Sequence, residues 1–123
     1  MGAEGVHPLT AARTLAIEAA RLAASTRCRD VAVLNLIGLW PVADYFVLAT
    51  GASPRQMRSV CNQIEELAGK LGSRAFSRSG YEGETWIVVD FVDVVVHLFS
   101  AESRQYYDLD NLWGDAPKIE WQD

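Results

Sequence analysis

The segment WIVVDFVDVVVHLF, residues 86 to 99, decides the architecture. Two runs of β-branched and aromatic residues meet at Val92-Asp93, a place for a two-residue hairpin turn. With that turn the cross-strand pairs are Phe91 with Val94, Asp90 with Val95, Val89 with Val96, Val88 with His97, Ile87 with Leu98 and Trp86 with Phe99. Alternation then sorts the side chains. Ile87, Val89, Phe91, Val94, Val96 and Leu98 form one wholly apolar face, which is core. Trp86, Val88, Asp90, Val95, His97 and Phe99 form the other, too aromatic for a solvated surface, so a helix or another protein must cover it.

Upstream, Ala12, Leu15, Ala16, Ala19, Leu22 and Ala23 recur at helical spacing, predicting a helix from Leu9 to about Thr26 that starts near Pro8. DVAVLNLIGL from Asp30 and ADYFVLATG from Ala43 read as strands separated by the turn-like LWPV. The period changes at ATGASPRQ. Ser53 is placed as an N-cap, Pro54 as the first helical residue, and Gln56 as the partner in a capping box. The stripe Met57, Val60, Cys61, Ile64, Leu67, Ala68 and Leu71 continues that helix, and Gly72 ends it. A short strand is expected at Arg74 to Ser77, then a loop over SRSGYEGE. Beyond the hairpin a short helix starts at Ser100, with Glu102 in its first turn, and Pro117 stops regular helix. The expectation is an α/β fold, α+β in its mixed sheet, with about five strands flanked by helices. Residues 1–8 form a flexible N-terminus, 9–116 a single domain and 117–123 a C-terminal tail.

At 123 residues, half of them hydrophobic and 22% charged, the chain has the composition of one globular domain. No apolar run approaches the roughly 20 residues that a membrane-spanning helix needs. The opening MGAEGVHPL has neither a signal-peptide nor a transit-peptide pattern, so a cytoplasmic location without membrane contact is expected. The formal net charge of -5 repels a phosphate backbone as a whole unless basic residues segregate onto one face, so direct nucleic-acid binding is disfavoured, no direct sequence-specific binding is expected, and approach to a basic partner is eased. Arg55, Arg58, Arg74 and Arg78 form at most a modest basic patch. Cys28 and Cys61 have no metal or redox spacing and read as buried thiols.

The ionisable residues of the hairpin are the obvious place to look for chemistry. Asp93 goes to the turn. Asp90 and His97 share a face only as diagonal neighbours, roughly 7 to 8 Å apart. Two groups without a third ligand make neither a structural zinc site nor a catalytic one, so no metal and no cofactor is expected. A nucleotidyltransferase would pair the Gly-Ser turn of TGASPRQ with two carboxylates at even spacing on one strand, whereas Asp90 and Asp93 differ by three and flank a turn. The terminal segment is more informative. Tyr106, Tyr107, Leu109, Leu112 and Trp113 crowd together with Glu102, Asp108, Asp110 and Asp115, a composition typical of interface hot spots.

The blocks ADYFVLATGASPRQ, YEGETWIVVDFVDVVVHLF and SAESRQYYDLDNLWGDA, in that order, resemble the ribosomal silencing factor family, RsfS or Iojap-like. The resemblance covers about residues 30 to 116. It implies a fold related in outline to nucleotidyltransferases but no enzymatic role, a homodimer when free, and binding to the large ribosomal subunit. The implied contact is ribosomal protein uL14, and the implied effect is that the small subunit cannot join. By motif position the contact surface would use Trp86, Asp90, Val95, His97, Tyr107, Leu109 and Trp113. The family commonly has Gly-Asp at the tight turn. Here Val92 replaces the glycine, and a positive φ there would strain it.

Overall fold

A computed structural model describes residues 8–83 and 85–122, with backbone alone at 8–10, 109 and 110. Of the expected flexible N-terminus, residues 1–8, residues 1–7 with His7 lie outside the described residues, and Pro8 opens the first helix.

The elements run α1 (Pro8–Ser25), β1 (Arg29–Asn35), β2 (Tyr45–Gly51), α2 (Pro54–Lys70), β3 (Ser77–Ser79), β4 (Trp86–Asp90), β5 (Val94–Ser100), α3 (Ala101–Tyr106), α4 (Leu109–Leu112) and β6 (Lys118–Ile119). They build one mixed sheet in the order β3-β4-β5-β2-β1-β6. The hairpin pairs in the expected register, Trp86 opposite Phe99 through to Asp90 opposite Val95. β5 also runs parallel to β2, Tyr45 beside Val94.

Each sheet face has its own core. On the first, Ile87, Val89, Phe91, Val94, Val96 and Leu98 pack with Val33, Tyr45, Val47 and Ala49 under α1 and α2. The helix α1 packs into this core through Leu15 and through Ala12, Ala16, Ala19, Ala20 and Ala23, whose small side chains let its backbone approach closely. On the second face Leu34, Leu36, Ala43, Phe46, Leu48, Val95, Phe99 and Trp113 cluster beneath the chain's C-terminal part. The assignment of faces by parity therefore holds.

The start of α2 carries its cap as expected, with the Ser53 hydroxyl accepting from Gln56 N–H. The return bond differs: Gln56 Oε1 accepts from Ala52 N–H, and Gln56 Nε2 donates to the Thr26 carbonyl, tying the end of α1 to the start of α2. Gly51 leaves no room for a side chain, because Met57 packs where its Cβ would stand. At the far end Gly72 takes φ +83 and Ser73 N–H reaches back to the Ala68 carbonyl, a Schellman ending. Leu71, expected in the buried stripe, is exposed there because the helix has already closed.

Two expectations about strands need correction. The third strand covers Ser77–Ser79, not Arg74 to Ser77, so part of the expected loop pairs with Val88, Val89 and Asp90. A sixth strand arises in the expected C-terminal tail, where Lys118 and Ile119 pair with Leu34 and Val33. Trp121 then donates to the Val31 carbonyl and accepts from Arg21 through its own carbonyl, which blunts that sheet edge.

The hairpin turn is strained. Val92 sits at φ +77, Asp93 N–H donates to the Phe91 carbonyl, and Asp90 Oδ1 accepts from Val92 N–H at 2.7 Å. An i to i+2 bond about a positive φ is the less favourable kind of three-residue turn, and a β-branched side chain adds to its cost. Val92→Gly is expected to raise stability by about 1 kcal/mol, seen as a higher urea midpoint at an unchanged denaturant slope. A fall in the midpoint would mean that the exposed valine stabilises the turn through contacts.

Candidate functional site

The second sheet face and the segment over it hold most of the aromatic side chains of the chain. Phe46 is central: its ring lies 4.6 Å from His97, 5.4 Å from Trp113 and 5.7 Å from Trp40, centre to centre. Trp86 touches His97, Phe99 and Tyr107 at 6.0, 5.9 and 5.7 Å. Tyr106 meets Tyr107 edge-on at 4.9 Å. Ser100 caps α3 by accepting from Ser103 N–H, and so turns the chain out of β5 and over this face.

The residues expected to form a contact surface separate by depth. Val95, His97 and Trp113 are buried within the chain, the last two at 7% and 8% exposure, and belong to the second core. Asp90 is half-buried, and its carboxylate is engaged with the turn. Trp86 is half-buried, with one side against Tyr107. Tyr107 is 55% exposed and Tyr106 81%. The Leu109 side chain lies outside the described residues. Of the seven, Trp86 and Tyr107 come together at the surface, and Tyr106 joins them.

His97 is a packing histidine. Trp86 Nε1–H donates to its Nδ1 at 3.2 Å, so the neutral ring carries its proton on Nε2. Burial pushes its pKa down from 6.5 to about 4. His97 Nε2 and Trp113 Nε1 are both buried without a hydrogen-bond partner among the described residues. No Asp90–His97 bond forms, and among the described residues no group of three or more His, Cys, Asp or Glu is placed to hold a metal ion. Burial raises the Cys28 and Cys61 thiols to about 11, which keeps both protonated.

Sequence reasoning passed over one surface. Ile37, Leu39, Trp40 and Val42, in the connection from β1 to β2, are exposed large hydrophobics, and Trp40 leans on Phe46. The signal was available: four large apolar residues among Gly38 and Pro41 are more than a turn needs. Arg55, Arg58, Arg74 and Arg78 do not share one patch. Arg78 pairs with Glu65 at 2.9 Å and lies over the Tyr81 ring at 4.0 Å, while Arg74 follows the far end of α2 from Arg55.

The family model described as "Ribosomal silencing factor during starvation" matches residues 9–123. This chain belongs to that family. It is 38% identical over 91 residues to the ribosomal silencing factor RsfS of Bacillus subtilis, covering 74% of this chain and 77% of that protein. It is 36% identical over 94 residues to that of Halalkalibacterium halodurans, covering 76% and 80%. A crystal structure of a Chromobacterium violaceum protein superposes with a TM-score of 0.74 at 30% identity, over 91% of this chain and 90% of that one. Among the described residues of this silencing-factor chain no helix is long and apolar enough to cross a membrane.

Proposed function

We propose that this protein binds the large ribosomal subunit through ribosomal protein uL14 and blocks joining of the small subunit by its bulk, repressing translation in the cytoplasm without catalysis. The observation that carries the reading is the ledge of Trp86, Tyr107 and Tyr106, aromatic rings in mutual contact, two of them largely exposed, with Glu102 and Asp108 beside them. Aromatic anchors rimmed by acids suit a basic protein surface. Val95, His97 and Trp113 support the ledge from below, and Asp90 holds the turn of the strand that carries Trp86. The exposed apolar connection at Ile37, Leu39, Trp40 and Val42 offers a second copy of the chain a surface for the homodimer of the free protein.

Sedimentation tests this directly. The purified protein should pellet with isolated large subunits, and those subunits should then fail to form complete ribosomes when small subunits are added. Tyr107→Ala should weaken binding about 30-fold, near 2 kcal/mol, while leaving the thermal midpoint almost unchanged because the side chain is more than half exposed. Unimpaired subunit joining would end the proposal. So would metal-dependent nucleotide turnover lost on Asp90→Ala, since it would make the protein an enzyme.

A further inference from the structure

The arginines that sequence spacing left scattered are gathered by the fold at one end. Arg29 pairs with Thr50, where β1 begins and β2 ends. Gln56 Nε2 holds the Thr26 carbonyl at 2.8 Å, which brings the backbone next to Arg27 to the first turn of α2, the turn that carries Arg55. Arg58 stands three residues further along α2, roughly 4.5 Å up its axis. Arg27, Arg29 and Arg55 are exposed and Arg58 half-buried, and none of the four meets a carboxylate among the described residues. Arg104 adds a fifth positive charge at this end, its guanidinium bonded to the Asp30 carbonyl and the Thr50 hydroxyl. Among the described residues, carboxylates at or next to this end are those of Asp30, Glu102 and, beside Val31, Glu120. The N-terminus of α2, seventeen residues long, adds its own positive partial charge.

Arg27 sharpens the picture. Cys28 N–H bonds the Ala23 carbonyl and Arg27 N–H the Ala24 carbonyl, a Schellman ending in which Arg27 takes φ +74. Glycine is the usual residue there. A long cation stands instead on a backbone conformation that disfavours it.

We infer that this end of the fold, through Arg27, Arg29, Arg55 and Arg58, binds the phosphate backbone of structured RNA. Guanidinium groups spread over a loop, a strand start and a helix start meet a line of phosphates rather than one pocketed anion. Among the described residues the exposed large hydrophobics lie at 37–42, 71–76, 92 and 106–112, none of them in the segments that carry Arg27, Arg29, Arg55 and Arg58. The choice of RNA among polyanions rests on the proposed docking to the large subunit. Such contact is electrostatic and indifferent to base sequence, in keeping with an acidic chain that reads no sequence.

The test is fluorescence anisotropy with a fluorescein-labelled RNA hairpin of mixed sequence. The full chain should bind, and doubling the salt from about 50 to 100 mM should weaken binding about tenfold if four phosphates are neutralised. Arg27→Gln, Arg29→Gln, Arg55→Gln and Arg58→Gln combined should weaken it at least about tenfold, whereas the corresponding four-lysine variant should stay within about threefold. Arg74→Gln, at the far end of α2, should change nothing. No binding, equal binding by the four-glutamine variant, or tighter binding to phosphatidylserine vesicles than to the hairpin at the same salt would overturn the inference. Its failure is distinguishable from failure of the docking proposal. A chain that binds the hairpin through these arginines but does not pellet with large subunits refutes only the docking. A chain that pellets but shows no arginine-dependent RNA binding refutes only this inference.

Discussion

Trp113→Ala is expected to lower stability by about 3–5 kcal/mol, roughly a fifth or more of what a domain of this size has to lose. Trp113 is 92% buried and meets Phe46 edge-on at 5.4 Å and His97 at 5.2 Å, so truncation leaves a ring-sized hole over the middle of the second face. The cover cannot close that hole cheaply, because it consists of two short helices and an irregular segment rather than a long helix able to shift as a body. The first core, beneath α1 and α2, does not involve this residue. Trp113→Phe separates packing from polarity. The indole N–H has no partner among the described residues, so phenylalanine gives up no hydrogen bond and should retain most of the stability. Chemical denaturation of the three proteins gives the comparison. An alanine variant within about 1 kcal/mol of the parent would show that the C-terminal segment does not hold the second face closed.

Sequence pattern revealed the hairpin and its faces because period-two alternation over residues 86–99 has a single register that buries Ile87, Val89, Val94, Val96 and Leu98 together. The capped start of α2 was equally legible, since Ser53, Pro54 and Gln56 act within one turn of one another. Interactions distant in sequence were not legible. The strand at Lys118–Ile119 is two residues long and exists because β1 offers it an edge, and no local pattern announces that. The same limit governs the candidate site. Alternation placed Val95 and His97 on the aromatic face, but whether another protein or the chain itself covers that face depends on where Trp113 returns to it. The chain covers it. The surface that remains is Trp86 with Tyr107 and Tyr106, together with the apolar connection at residues 37–42, where a turn reading gave hydrophobic side chains no task.

Acid should weaken this protein through His97. The ordinary imidazole pKa is 6.5 and that of the folded protein is about 4, a depression caused by burial. The unfolded chain therefore takes up a proton at His97 that the folded chain refuses, and stability rises with pH across that window. The contribution is fully present above pH ~6.5 and is lost as the pH falls toward ~4, with about 2 kcal/mol gone between pH ~7 and ~5 and about 3 kcal/mol in all. Geometry points the same way. Nδ1 accepts the Trp86 N–H, and a proton placed on Nδ1 would set two donors against each other in a cluster whose rings, Phe46, Phe99 and Trp113, offer a positive charge no carboxylate. Urea midpoints measured between pH 7 and 5 check this, with His97→Phe as the comparison. That variant should be nearly flat over the range, whatever its stability at pH 7. The two predictions are coupled: in Trp113→Ala the imidazole gains access to water, its pKa returns toward the ordinary value, and the acid-dependent loss should shrink. An undiminished slope in His97→Phe would assign the acid sensitivity to other groups.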